Sequence, residues 1–377
     1  MIGDATVVGL GEATHGSHEF FTMKHRVFRY LVEEKGFTSF ALEMSWPAGL
    51  LIDDYLQHGG GDARQVVSQT LAGSPWDREE FVSLIEWMRD HNRQHPERPV
   101  HFVGADAGFP RIGDDLFRRV TDYVQRAVPA ALPRINELYT GLRPLDDAFA
   151  YLGLPLAQRK QFVANAQQAL DLISAQNGLH GAEYELAVQN ARSIVQTATY
   201  LSFDMNDDAQ RAAMDLCRDR LMADNVMWWQ RHTGSRILLS AHNGHVGYQP
   251  DIPALYPKSQ GAFLRDALGA RYVAMGFTFD QGSFLAMDDS GAWKPWTVGP
   301  AEPDTNEYVL DQVRHQRDFY LDTRSAPPAA RAWLAVARPT RSIGTDYPFP
   351  EVQKALGHCF DVHVHLHQVH AAQLLTP

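Results

Sequence analysis

Cysteine is nearly absent from this chain, Cys217 and Cys359 being the only two. That scarcity excludes a disulfide-dense secreted scaffold and a structural zinc site built from four thiolates. No apolar stretch reaches the about 18 residues needed to span a bilayer. The opening MIGDATVVGLGEATHG lacks the basic region and apolar run of a signal peptide. The expected location is therefore cytoplasmic, with no membrane partner. Basic charge is short as well: 34 Lys and Arg stand against 45 Asp and Glu, a formal net charge of −11. A phosphate backbone favours a basic surface, so nucleic acid is not an expected partner. Tandem repeats and low-complexity tracts are also missing.

What is present is an ordinary globular composition, 45% apolar and 21% charged over 377 residues, with 17 histidines as the one unusual count. That length suits one large α/β domain or a core carrying an inserted subdomain. Residues 6–11 (TVVGLG) read as a buried strand. The following EFFTMKHRVFRYLVEEKG carries a helical apolar stripe with Gly36 as its stop, and 37–43 reads as a second strand. This is a βαβ unit, which predicts a parallel, right-handed pairing. Residues 78–92 read as a helix, and 99–106, 236–242 and 272–279 as further core strands. Between about 113 and 232 the pattern is helical throughout: 114–128, 159–176, 182–203 and 208–231. The expected architecture is α/β, with a parallel or mixed central sheet flanked by helices and an inserted all-helical subdomain. Residues 1–112 and 233–377 would form the discontinuous core, and 113–232 the insertion walling the active-site cleft.

Ligands of parallel α/β sheets bind beyond the carboxyl ends of the strands. The first strand runs into Glu12 and His15, the second ends in Glu43, the third in Asp106, and 236–242 runs into His242 and His245. Singly, each has an unremarkable explanation: a helix-capping carboxylate, a satisfied histidine, a turn. Glu43 is the hardest to explain away, because a buried carboxylate is costly unless paired. Their shared placement is the argument for a site. A neutral histidine is suited to act as general base, and a carboxylate on its other ring nitrogen fixes the tautomer and stabilises the charged form. With no GxSxG elbow and both cysteines away from these motifs, direct activation of water by histidine is the simplest chemistry. The Glu12, His15, Glu43, His242 and His245 set also suits a metal by residue type, although HExxH is missing. No metal and no cofactor are assigned.

The segments GLGEATHGSHEFFTMKHRVFRYLVEEKGFTSFALE (9–43), CRDRLMADNVMWW (217–229) and SAHNGHV (240–246) resemble the erythromycin esterase family over nearly the whole chain. That family includes macrolide-inactivating esterases and proteins labelled as succinoglycan biosynthesis proteins. The resemblance implies that His15 is the base activating water against an ester carbonyl. It makes Glu12 and Glu43 its acidic partners, and His242 and His245 further catalytic or substrate-polarising groups. Lys24 stands where the family often has arginine, a change that is not conservative where a fork of donors is used. Arg218 and Asp219 match a family motif on an insertion helix. Family members commonly carry a segment before the first strand, so that part is dispensable or the natural start lies upstream of Met1.

His18, Trp46, Trp76, Asp106, Phe109 and Arg218 are the expected substrate-binding residues, grouped by their nearness to strand ends or the cleft. Trp228 and Trp229 read as core. His363, His365 and His367 share one face of a last strand (359–370). Such a face can chelate metal, but on an edge strand it is as readily solvated, and the solvated face is the expectation. The functional reading is a hydrolase of a bulky carboxylic ester or macrolactone. The alternatives are a biosynthetic cyclase, lyase or acyl transferase, a metal-dependent hydrolase, and a non-enzymatic ligand binder. Oligomeric state is not legible in the chain.

Overall fold

The computed structural model describes residues 1–107, 112–176, 181–313 and 317–375. Its strands are β1 (Val7–Leu10), β2 (Ser39–Ser45), β3 (His101–Asp106), β4 (Ile237–Ser240), β5 (Tyr272–Met287), β6 (Trp293–Val298), β7 (Phe319–Asp322), β8 (Arg338–Thr340), β9 (Val352–Lys354) and β10 (Val362–Val369). The main sheet runs β3-β2-β4-β1-β5-β10-β7, with β6 paired to β5, and β8 and β9 form a separate ribbon. β1, β2, β4, β5 and β10 pair in parallel, whereas β6 and β7 join antiparallel. The architecture is thus α/β, with a mostly parallel central sheet, flanking helices and a helical region.

Local chemistry explains these elements. β1 reads Val-Val-Gly-Leu because a strand with parallel neighbours on both edges is buried throughout. Helix His18–Lys35 stops at Gly36, whose φ of 68° is left-handed and whose N–H returns to the Leu31 carbonyl. Its Phe20 packs edge-on against Phe277 and Phe279 of β5. The chain divides into two compact units: Met1–Glu43, Ile52–Phe102 and Ser235–Pro377 form one, and Met44–Leu51 with Val103–Gly234 the other. In the second unit, helix Ala182–Tyr200 packs on Asp114–Ala127, Leu156–Ser174 and Asp208–Thr233. Asn225 ties this unit together: its Oδ1 accepts from Gln189 and Gln196, and its Nδ2 donates to the Ala105 carbonyl. Trp46 contacts Trp228 and Trp229 edge-on, in keeping with a packing role for that pair.

Three expectations need correction. β1 and β2 share direction but are not neighbours, because β4 inserts between them from far along the chain. β5 runs to Met287, well past residue 279, since pairing with β10 and β6 carries it through the polar stretch Asp280–Ser283. β10 lies between β5 and β7 rather than at an edge, and helix Asn306–Val313 packs on it. His363 and His365 are consequently buried, 1% and 0% exposed, and both hydrogen-bond Thr278 Oγ1 at 2.9 Å. No helix among the described residues is long and apolar enough to cross a membrane.

Candidate active site

The loop after β1 is held on several sides. Gly11 N–H donates to the Met275 carbonyl, His15 N–H to Gly344 O, and Ile343 N–H to Ala13 O. The Thr14 and Ser17 hydroxyls bond each other at 2.6 Å. Gly16 is required by close approach: a Cβ there would lie 2.0 Å from the Leu285 carbonyl oxygen. This scaffold presents Glu12, fully buried, between two partners. Its Oε1 is 2.6 Å from His15 Nδ1 and its Oε2 is 2.5 Å from Lys24 Nζ. Burial by itself would push the Glu12 carboxyl up, but the Lys24 charge and the His15 hydrogen bond together hold it below the usual range. Burial also pulls the Lys24 ammonium down, and Glu12 opposes that only in part. With Nδ1 engaged by a carboxylate, His15 keeps Nε2 as its open lone pair.

Glu43 lies within β2, two residues before its end, and is bound to the HNGH turn. Its Oε2 accepts from the His242 backbone N–H at 2.7 Å and its Oε1 is 3.2 Å from His245 Nε2. Glu12 is the carboxylate hydrogen-bonded to the His15 imidazole, and Glu43 anchors the turn.

His242 caps the short helix Asn243–Val246 by accepting the Gly244 N–H on Nδ1 at 3.2 Å. A ring nitrogen that accepts carries no proton, so neutral His242 bears its hydrogen on Nε2, and that buried atom has no hydrogen-bond partner among the described residues. Burial pulls the imidazole down to about 4, with the His15 and His245 charges adding to it and Asp251 opposing. The rings of His15 and His242 are 5.2 Å apart. A Cβ on Gly344 would sit 3.9 Å from both His15 Cδ2 and His242 Nε2, which places that backbone beside the space between them. Trp76 meets His15 edge-on at 5.7 Å.

Behind His242 lies a group that sequence reasoning missed. Asp251 pairs with Lys354, accepts from Ser342 Oγ at 2.5 Å and lies 3.7 Å from His242 Nδ1. Burial would raise its carboxyl, yet Lys354, His242 and Ser342 hold it down at about 2. No motif marks Asp251, Ser342, Gly344 or Lys354, which come from three separate loop and strand segments.

Six residues singled out in the sequence, Glu12, His15, Lys24, Glu43, His242 and His245, are thus linked by contacts in one unit. Of the expected substrate contacts, Trp76 joins them. His18 instead bonds Glu80 at 2.7 Å. Trp46 donates to Asn190, and Arg218 forks onto Asp106 at 2.6 and 3.0 Å, both inside the helical unit. Phe109 lies outside the described residues. Cys217 and Cys359 are free thiols, and burial raises both. Two cavities, about 810 Å³ on the helical unit and about 640 Å³ beside helix Glu79–Gln94, hold none of the six. Chemistry rather than volume identifies the site. Among the described residues, the one trio of metal-capable side chains with all ligand atoms within 4.8 Å is elsewhere: Asp280, Asp311 and His367.

The arrangement sets a carboxylate-bound imidazole, His15, 5.2 Å from a second imidazole, His242, that burial keeps neutral. The erythromycin esterase family profile matches residues 32–369. Erythromycin esterase type II of Escherichia coli is 25% identical over 312 residues, 76% of this chain and 72% of its own. A solved structure from Bacillus cereus superimposes with a TM-score of 0.89 at 30% identity, covering 99% of this chain and 91% of that one. A solved succinoglycan biosynthesis protein gives 0.87 at 31% identity, covering 99% and 90%.

Proposed function

The chain belongs to the erythromycin esterase family and is a hydrolase of that type; on that premise we propose that it cleaves a carboxylic ester or macrolactone with water activated by His15. His15 Nε2 takes a proton from water, and the resulting hydroxide attacks the ester carbonyl. Glu12 on Nδ1 holds the tautomer and stabilises the imidazolium that forms. Lys24 keeps Glu12 ionised although both side chains are buried. As the carbonyl oxygen gains charge, the Nε2–H of His242 donates to it. The His15 imidazolium then returns its proton to the leaving alkoxide. Glu43 fixes the turn that carries His242 and His245, and Trp76 forms an apolar wall for a bulky acyl or alcohol group.

The observation that supports this reading is a pair of histidine rings 5.2 Å apart in contrasting surroundings. One is hydrogen-bonded to a carboxylate 2.6 Å away, and burial keeps the other neutral, with an Nε2 donor that has no partner among the described residues. Turnover of macrolactones and simple bulky esters in ¹⁸O-labelled water tests it. Label in the carboxylic product supports hydrolysis. An unlabelled product formed by cyclisation or transfer overturns it in favour of a biosynthetic acyl-transfer enzyme.

A further inference from the structure

The face of the sheet opposite helix His18–Lys35 holds a second polar cluster. Phe277 and Phe279 point to that helix, so strand alternation sends Thr278 and Asp280 to the other side. β10 runs parallel beside β5 there, with Leu366 opposite Phe279 and Gln368 opposite Gln281, which sets His367 next to Asp280. Helix Asn306–Val313 brings Asp311 down onto this pair. Asp311 Oδ1 is 2.8 Å from His367 Nδ1 and 3.4 Å from His365 Nε2.

Asp280 and Asp311 are 4% and 2% exposed. Two carboxylates this close and this dry are costly without positive charge between them. Among the described residues neither is paired with Lys or Arg. Arg341 is nearby, but it donates to the backbone carbonyl of Asp280.

We propose that Asp280, Asp311 and His367, with His365 as a fourth donor, bind a divalent transition-metal ion, zinc being the best match to their mixed oxygen and nitrogen ligands. One ligand atom from each of the first three lies within 4.8 Å of the others. A tetrahedral ion with bonds of about 2.0–2.2 Å needs its ligands about 3.4 Å apart, so small side-chain rotations close the site. Two carboxylates and neutral imidazoles cancel the charge of a divalent ion and suit zinc more than magnesium or calcium. The ion would pin helix Asn306–Val313 to the β5–β10 pair, a structural role separate from ester chemistry.

Calorimetric titration of the chelator-treated full chain with Zn²⁺ tests this. One equivalent should bind, and Zn²⁺ should raise the thermal unfolding midpoint. Asp311→Asn and His367→Gln should each weaken binding by about tenfold or more, whereas His15→Ala should leave it unchanged. Circular dichroism without metal checks that each variant folds, and His367→Gln, at a partly exposed position, carries the test if Asp311→Asn does not. Absence of stoichiometric binding, affinity that survives both substitutions, or affinity lost with His15→Ala would overturn the proposal.

Discussion

Glu12 and Lys24 allow stability and chemistry to be separated by a double-substitution cycle. Both side chains are 0–1% exposed and their charges meet at 2.5 Å. Removing one partner strands the other charge in the interior, which typically costs about 3–5 kcal/mol. Glu12→Gln and Lys24→Met should each lower the unfolding free energy by about that much in urea titrations. The double variant buries no lone charge, so it should lie within about 2 kcal/mol of wild type, with one imperfectly bonded amide as the remaining cost. Turnover should behave differently. Glu12→Gln removes the carboxylate from His15 Nδ1 and should reduce kcat by about 10²–10⁴-fold, and the double variant should remain equally slow although its stability has returned. Two results would refute the reasoning: stability losses that simply add in the double variant, or activity that recovers together with stability.

Three further outcomes follow from the same geometry. His242→Gln should lower kcat by about 10²–10³-fold with little change in KM, as loss of an oxyanion donor does; a change confined to KM, measured by steady-state kinetics, would instead make it a ground-state contact. Because His242 titrates near 4 when folded but near its ordinary 6.5 when unfolded, the unfolded chain binds more protons between those values. Its stabilising effect is complete above pH 6.5 and is lost as pH falls toward 4, by roughly 3 kcal/mol for a shift of this size; unfolding free energies across that range should show a shallower slope in His242→Gln. Gly16→Ala forces a methyl group onto the Leu285 carbonyl and should cost about 1–3 kcal/mol together with activity; unchanged denaturant midpoints and turnover would contradict the packing described for the loop.

Much of the site was legible because chain chemistry at strand ends is local. Glu12 and His15 are three residues apart, so the loop after β1 delivers them as a pair, and His242 and His245 sit on one short turn. Gly36 and the stripe before it marked a helix end by backbone conformation alone. Partnership across the sheet was not legible. Glu43 lies 199 residues from the backbone N–H it accepts, and β4 enters between β1 and β2 only through the three-dimensional strand order. His363 and His365 alternate with apolar residues as an exposed face would. Their burial depends on β7 and helix Asn306–Val313, whose patterns give no hint of that packing. Asp251 and Lys354 are an ion pair 103 positions apart without a motif on either side.

The central claim is that His15, held by Glu12, is the base that activates water. It is tested most directly by kcat/KM for His15→Ala on an ester that the wild-type enzyme hydrolyses, with the fold verified by circular dichroism and wild type assayed with and without chelator. The account predicts a folded variant slowed by about 10²–10⁴-fold, and a wild-type enzyme whose turnover persists after chelation. A folded His15→Ala that keeps wild-type turnover, or a chelated wild-type enzyme that stays folded by circular dichroism yet is inactive until metal is returned, would contradict it.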